Sequence, residues 1–153
     1  MRTVQEIYDE AIHLIDAQNE NSGSTNTPDT REYAVRAAKL LSTLLNEAYP
    51  YSDTYPVSTN GRRPVHPPVT EMTDNVDMDD FICLSALPAG LAALFVFDED
   101  KDKYNAFWGD YVNRLQQAAR SMPTSGFEDV ENPYAWEGHG AGIEYGQFGS
   151  WPW

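Results

Sequence analysis

Apolar positions recur along this chain at spacings of three and four residues, which is the signature of helices with one buried face. Between residues 3 and 20, Val4, Ile7, Tyr8, Ala11, Leu14 and Ile15 form a single stripe. Thr3 and Glu6 stand at the spacing of a capping box, in which each side chain satisfies the other residue's backbone N–H. The polar run "NENSGSTNTPDT" then interrupts the pattern. Thr27 is the expected cap of a second helix, with Pro28 at its first position, where a missing N–H costs nothing. That helix is predicted to reach about Tyr49 and to bury Val35 or Ala38 together with Leu41, Leu44, Leu45 and Ala48. Pro50 ends it, because a proline disfavours helical backbone in the residue before it.

A third helix is predicted to start near Asp77. Asp77 can cap it, and Asp79 and Asp80 suit the positive end of the helix dipole. Its apolar positions are Phe81, Leu84, Leu87, Leu91, Leu94 and Phe95. Pro88 lies inside this run and should kink the helix or split it in two. A fourth helix is expected from about Asp100 to Ser121. Tyr104, Phe107, Trp108, Tyr111, Leu115 and Ala118 recur along it at helical spacing and read as core positions.

Two stretches escape this pattern. Residues 50–76 contain "PYSDTYPVSTNGRRPVHPPV", with five prolines and the turn signal Asn60-Gly61. The expectation is an extended excursion, a hairpin or a long arm; so long a loop in a small domain is uncommon and often functional. It carries the only arginine pair, Arg62-Arg63, which fits a surface turn or a contact with an acidic neighbouring chain. The second stretch is residues 122–153, ending "GIEYGQFGSWPW". It has no Lys or Arg, five carboxylates, six glycines and seven of the nineteen aromatics. The domain reading is a helical body over 1–121, including the 50–76 loop, and a C-terminal arm over 122–153.

Charge narrows the functional classes. The 153 residues carry 24 acidic and 10 basic side chains, a net charge of -14. Binding nucleic acid through its phosphates needs clustered cations, so that class is disfavoured. An anionic membrane surface would repel the chain. The apolar stretch "ALPAGLAALFVF" is too short to span a bilayer, and "MRTVQEIYDE" does not read as a secretory signal. A single cysteine, Cys83, excludes an intramolecular disulfide framework. It reads as a small buried hydrophobe on the third helix rather than a nucleophile.

Catalytic and metal signatures are weak. Asp98, Asp100 and Asp102 match the first three ligand positions of an EF-hand loop. The glycine position is Lys103, however, and the final glutamate position is Gly109, so an acidic turn capping the fourth helix explains them better. His13, His66 and His139 lack zinc-motif spacing. "HGAGIEYG" lacks the Gly-Lys-Ser/Thr ending of a phosphate loop. The expectation is a protein without cofactor, metal or catalytic residues.

The segment "MDDFICLSALPAGLAALFVFDEDKDKYNAFWGDYVNRL", from Met78 to Leu115, together with "EIYDEAIHLIDAQNENSGSTNTPDTREYAVRAAKLLSTLLNEAYPYSDTY" and the "GIEYG" ending, resembles the head-tail connector proteins of tailed bacteriophages, also called adaptor or head-completion proteins. The resemblance implies an all-α bundle of about four helices with loops and a C-terminal arm that reach neighbours. It implies a virion structural protein at the head-tail interface, assembled in the cytoplasm of the bacterial host. Such proteins form a homo-oligomeric ring, commonly of twelve copies, beneath the portal protein, and they join it to the tail. DNA passes through the ring without specific binding, which a negative subunit suits.

Within that reading, the arm is expected to dock on another chain through Tyr145, Phe148, Trp151 and Trp153, with Arg62 and Arg63 as further contact candidates. Aromatic anchors dominate interfaces, and 32 residues reach up to about 100 Å when extended. The alternatives are another virion structural protein, such as a tail-completion protein, or an acidic inhibitor that mimics DNA.

Overall fold

The computed structural model describes residues 1–16, 20–58 and 60–121. The predicted arm, with Tyr145, Phe148, Trp151 and Trp153, lies outside the described residues. The fold is all-α. Four helices, α1 (Val4–Leu14), α2 (Arg31–Ala48), α3 (Leu87–Val96) and α4 (Lys101–Arg120), share one core. Two short strands, β1 (Arg2–Thr3) and β2 (Asn75–Val76), pair antiparallel, Arg2 opposite Val76 and Thr3 opposite Asn75.

The capping box forms as the sequence predicts. The Thr3 N–H donates to Glu6 Oε2 at 3.0 Å, and the Glu6 N–H donates to Thr3 Oγ1 at 3.3 Å. The helix is shorter than predicted, ending at Leu14, with Asp16 in the left-handed region at φ 57°. Val4, Ile7, Tyr8 and Ala11 are buried as expected. Ile12 takes the last buried place, while Leu14 is exposed.

The second helix starts one turn later than predicted, at Arg31, and its N-cap is Thr30, not Thr27; Thr27 instead bonds Thr30 in the turn before the helix. Thr27 Oγ1 accepts from the Thr30 N–H at 3.2 Å, and the Thr27 N–H donates to Thr30 Oγ1 at 2.9 Å. The two threonines thus reproduce the reciprocal bonds of a capping box around a turn that feeds α2. Ala37, Ala38, Leu41, Leu44, Leu45 and Ala48 form its buried face. Val35 is 81% exposed, so the open choice between Val35 and Ala38 falls to Ala38.

The third helix holds the largest departure. Its cap is Asp79, not Asp77: Asp79 Oδ1 accepts from the Ile82 N–H at 2.9 Å. The chain then winds as a π-helix over Ile82–Ala86 before α3 begins at Leu87, and Leu87 N–H bonds to the Ile82 carbonyl. Pro88 supplies the reason. It has no N–H for the Leu84 carbonyl, and its ring would clash there in a regular helix. A wider turn makes room. The wider turn also rotates the preceding residues. Ile82, Cys83 and Ala86 face the core, while Phe81 and Leu84, both predicted inside, are nearly half exposed. The helical run therefore continues through Pro88 unbroken, with a change of winding in place of the predicted split.

From Leu87 to Val96 every residue but Leu94 is buried, as expected of a central helix packed on several sides. It touches α1, α2 and α4. Phe95 stacks on Tyr33 at 4.8 Å between ring centroids and meets Tyr8 edge-on at 6.1 Å. Gly90 is required where α3 passes α4, because a Cβ there would lie 2.9 Å from the Tyr111 ring.

Asp100 caps α4 as predicted, accepting from the Asp102 and Lys103 N–H groups at 3.0 Å each. This accounts for one carboxylate of the acidic turn by capping geometry. Tyr111, Leu115 and Ala118 are buried. Phe107 and Trp108 only lean on the core, and Tyr104 is part of a surface ladder running from Phe97 to Trp108.

Candidate functional site

Neither Arg62 nor Arg63 can be placed from helix packing, so the site begins with what holds their loop. After α2 the chain makes a short 3-10 turn, Tyr49–Tyr51. Ser52 then knots the two ends of the excursion together. Its hydroxyl lies 2.9 Å from Thr54 Oγ1 and accepts from the Asp79 N–H at 3.2 Å. Thr54 Oγ1 donates to the Asp77 carbonyl at 3.2 Å.

The returning half of the loop is fastened to α2 by side chains. Ser42 Oγ donates to the Val69 carbonyl at 2.8 Å and accepts from the Val69 N–H at 3.1 Å. Asn46 Oδ1 accepts from the His66 N–H at 3.1 Å. His66 is buried; its Nδ1 sits 2.7 Å from the Pro67 carbonyl, so that nitrogen carries the proton and donates. The Tyr49 ring meets His66 and Tyr55 edge-on, each at 5.2 Å. Asp74 closes the last turn by accepting from the Thr70 and Glu71 N–H groups at 2.7 and 2.9 Å. These bonds hold its carboxyl below the usual carboxylate range. The chain then joins the N-terminus, where the Val4 N–H donates to the Asp74 carbonyl and the Gln5 N–H to the Met72 carbonyl. Residues 66–76 are thus a strap along the body rather than a free arm.

The crest of the loop is different. Asn60 Oδ1 accepts from the Arg62 N–H at 3.1 Å, Gly61 takes φ 71°, and Ser58 Oγ donates to the Arg62 carbonyl at 2.6 Å. The turn is held locally, and its Arg62 and Arg63 side chains stand exposed with Val57 and Val65. Neither arginine forms an ion pair among the described residues.

Between this crest and α2 runs a groove of about 590 Å³, lined by Lys39, Ser42, Asn46, Arg63, Pro64 and Val65 among others. A second hollow of about 300 Å³ continues it past Arg62 and Val57, sharing Arg63, Pro64 and Val65. Clefts of such volume are in the range that accommodates ligands or peptide side chains. Pro50, Pro64, Val57 and Val65 line the trough together with Lys39, Arg62, Arg63 and polar side chains, with Glu47 the one carboxylate among the described residues that line it. Sequence reasoning found Arg62 and Arg63 but missed Lys39, which only the strap brings beside them. The polar Ser42 and Asn46, four residues apart next to the buried stripe of α2, were the available signal.

Cys83 is fully buried, 3.7 Å from the Met78 carbonyl, and burial pushes its thiol up to about 12. A thiolate is the reactive form, so this cysteine acts as a core hydrophobe. Burial likewise raises Tyr111, whose hydroxyl has no partner among the described residues. Among the described residues, no three His, Cys, Asp or Glu side chains gather to hold a metal ion. No helix among them is long and apolar enough to cross a membrane.

The fold and the trough describe an all-α body with a strapped loop and one cationic, partly apolar face. Comparison with family models, with curated proteins and with solved structures finds no match.

Proposed function

We propose that this chain is a head-tail connector of a tailed bacteriophage, a structural protein that forms a ring under the portal and carries the DNA channel toward the tail. The observation that carries the reading is the segment Met78–Leu115, whose residue pattern bears the resemblance. It builds the π turn, α3 and the first part of α4, with α3 the most buried element of the body. A ring of identical subunits needs two different surfaces that meet head to tail. The cationic trough, on a body whose net charge is negative, is one such surface, and the aromatic arm is the other. The overall charge of -14 also suits a conduit through which DNA slides without being held. The proposed role needs no cofactor and no catalysis.

Electron microscopy of the protein mixed with its portal tests this. A symmetric ring, of about twelve copies if the resemblance carries over, should add below the portal. Unaltered portal particles at saturating protein would sink the reading. Stoichiometric binding of the protein to a DNA-binding nuclease, with release by DNA, would favour the DNA-mimic alternative instead. Self-repulsion of so acidic a subunit should keep the isolated protein monomeric or weakly associated at low salt. Sedimentation showing a stable ring in low salt without portal would contradict that expectation.

A further inference from the structure

The trough beside α2 combines cationic and apolar side chains on an acidic chain. Lys39, Arg62 and Arg63 gather at its edge, and none of them is ion-paired among the described residues. Val65 is 72% exposed and Val57 89% exposed, an apolar surface left open to water between the cations. The loop that forms it is no loose coil: Ser42 and Asn46 hold its returning strand against α2, so the trough is preformed. Preformed surfaces bind at lower ordering cost.

The ligand that fits is an extended chain with large apolar side chains and carboxylates but no cations. Residues 122–153 have that composition: five of the 24 carboxylates, seven aromatics and none of the ten Lys and Arg. We propose that the trough receives the C-terminal segment of a second copy of this chain, its aromatics on Pro64 and Val65 and its carboxylates toward Lys39, Arg62 and Arg63. This rests on the ring reading for the choice of a second copy. Trough and segment are different surfaces of one chain, so their pairing is heterologous and repeats from copy to copy until it closes. The charge contact orients the segment and speeds encounter, while the aromatics hold it.

Cross-linking between two full-length variants tests the proposal. One carries Val65→Cys at the trough, the other Ser150→Cys in the segment, and only one bears a mass tag. Cys83 is buried in both and stays out of the reaction. Under mild oxidation in low salt, the mixed disulfide should form at least about tenfold faster than with Asn113→Cys, an exposed site on α4. Adding Lys39→Glu, Arg62→Glu and Arg63→Glu to the Val65→Cys chain should slow it at least fivefold, with circular dichroism unchanged. Equal rates at Val65→Cys and Asn113→Cys would overturn the proposal, as would indifference to charge reversal. Closure only within one chain, when both cysteines are placed together, would overturn the second-copy assignment. The portal experiment separates the two ideas: a ring below the portal without this cross-link removes the trough contact alone. The cross-link without such a ring keeps the contact and removes the connector reading.

Discussion

Helix α2 holds two neighbours by opposite means. On one side Leu41, Leu44, Leu45 and Ala48 bury themselves against the core that α3 centres. On the other, Ser42 and Asn46 hold the 66–69 strap by hydrogen bonds to its backbone. The apolar side contributes stability in proportion to area removed from water. The polar side contributes less, about 1 kcal/mol per bond, but it dictates which backbone atoms meet. One contact makes the body stable; the other decides where the loop crest and its arginines stand.

Substitutions on each side should separate these roles. Leu44→Ala empties a fully buried position between α2 and α3 and should cost about 2–5 kcal/mol in denaturant unfolding. A loss below about 1 kcal/mol would mean the interface can collapse around the gap. Gly90→Ala comes next. Its new Cβ would press on the Tyr111 ring at 2.9–3.1 Å and on Leu44 Cδ1 at 3.2 Å. Overpacking costs about 1–3 kcal/mol, against about 1 kcal/mol regained from alanine's better helix propensity. A net loss of about 1 kcal/mol is expected, and a raised melting temperature would show that Tyr111 has room to move.

Ser42→Ala removes both bonds to Val69 and should lose about 1–3 kcal/mol, since the Val69 N–H and carbonyl lose their partner. The sharper readout is local: amide exchange at residues 66–70 should quicken much more than in α3. Uniform quickening through both regions would erase the distinction between the two sides of α2.

Acid should loosen the strap. The bonds Asp74 accepts lower its folded value beneath the ordinary 3.8. Its stabilising effect is therefore complete above that ordinary value and is lost as pH falls through the lower folded one. In wild type, exchange at Thr70 and Glu71, corrected for intrinsic rates, should rise below about pH 4 relative to α3 amides. Asp74→Asn should show no such rise. The smallest effect belongs to Arg62→Ala and Arg63→Ala, each within about 0.5 kcal/mol of wild type, because neither side chain forms an ion pair among the described residues. A loss above about 1 kcal/mol would place them in the body's own stability.

The four helices were legible because their apolar periodicity is strong and their caps are local. Thr3 with Glu6, and Asp100 with the N–H groups after it, need only a few neighbouring residues to form. Errors came where a distant or cumulative effect decided. Phe81 and Leu84 lie at helical spacing from Leu87 and Leu91, and only the extra width of the π turn before Pro88 turns them outward. Leu14 was expected inside, but α1 ends at it and Asp16 takes the left-handed conformation just beyond. In the trough, Arg62 and Arg63 drew notice as a pair, whereas Lys39 had no local feature to mark it.

The sequence by itself therefore determined an acidic, all-α chain, the approximate limits of its helices, two of their caps and that Pro88 disturbs the third helix. These follow from interactions within one or two helical turns, where spacing along the chain is spacing in space. Only the tertiary structure decided which face each helix buries near its ends, that Gly90 must be small, and that the proline-rich loop is strapped to α2 through Ser42 and Asn46. Those outcomes depend on residues far apart in the chain, such as Asn46 with His66 and Ser42 with Val69, which are 20 and 27 positions apart. No periodicity encodes which of many polar side chains will meet a given backbone group; packing selects the pair.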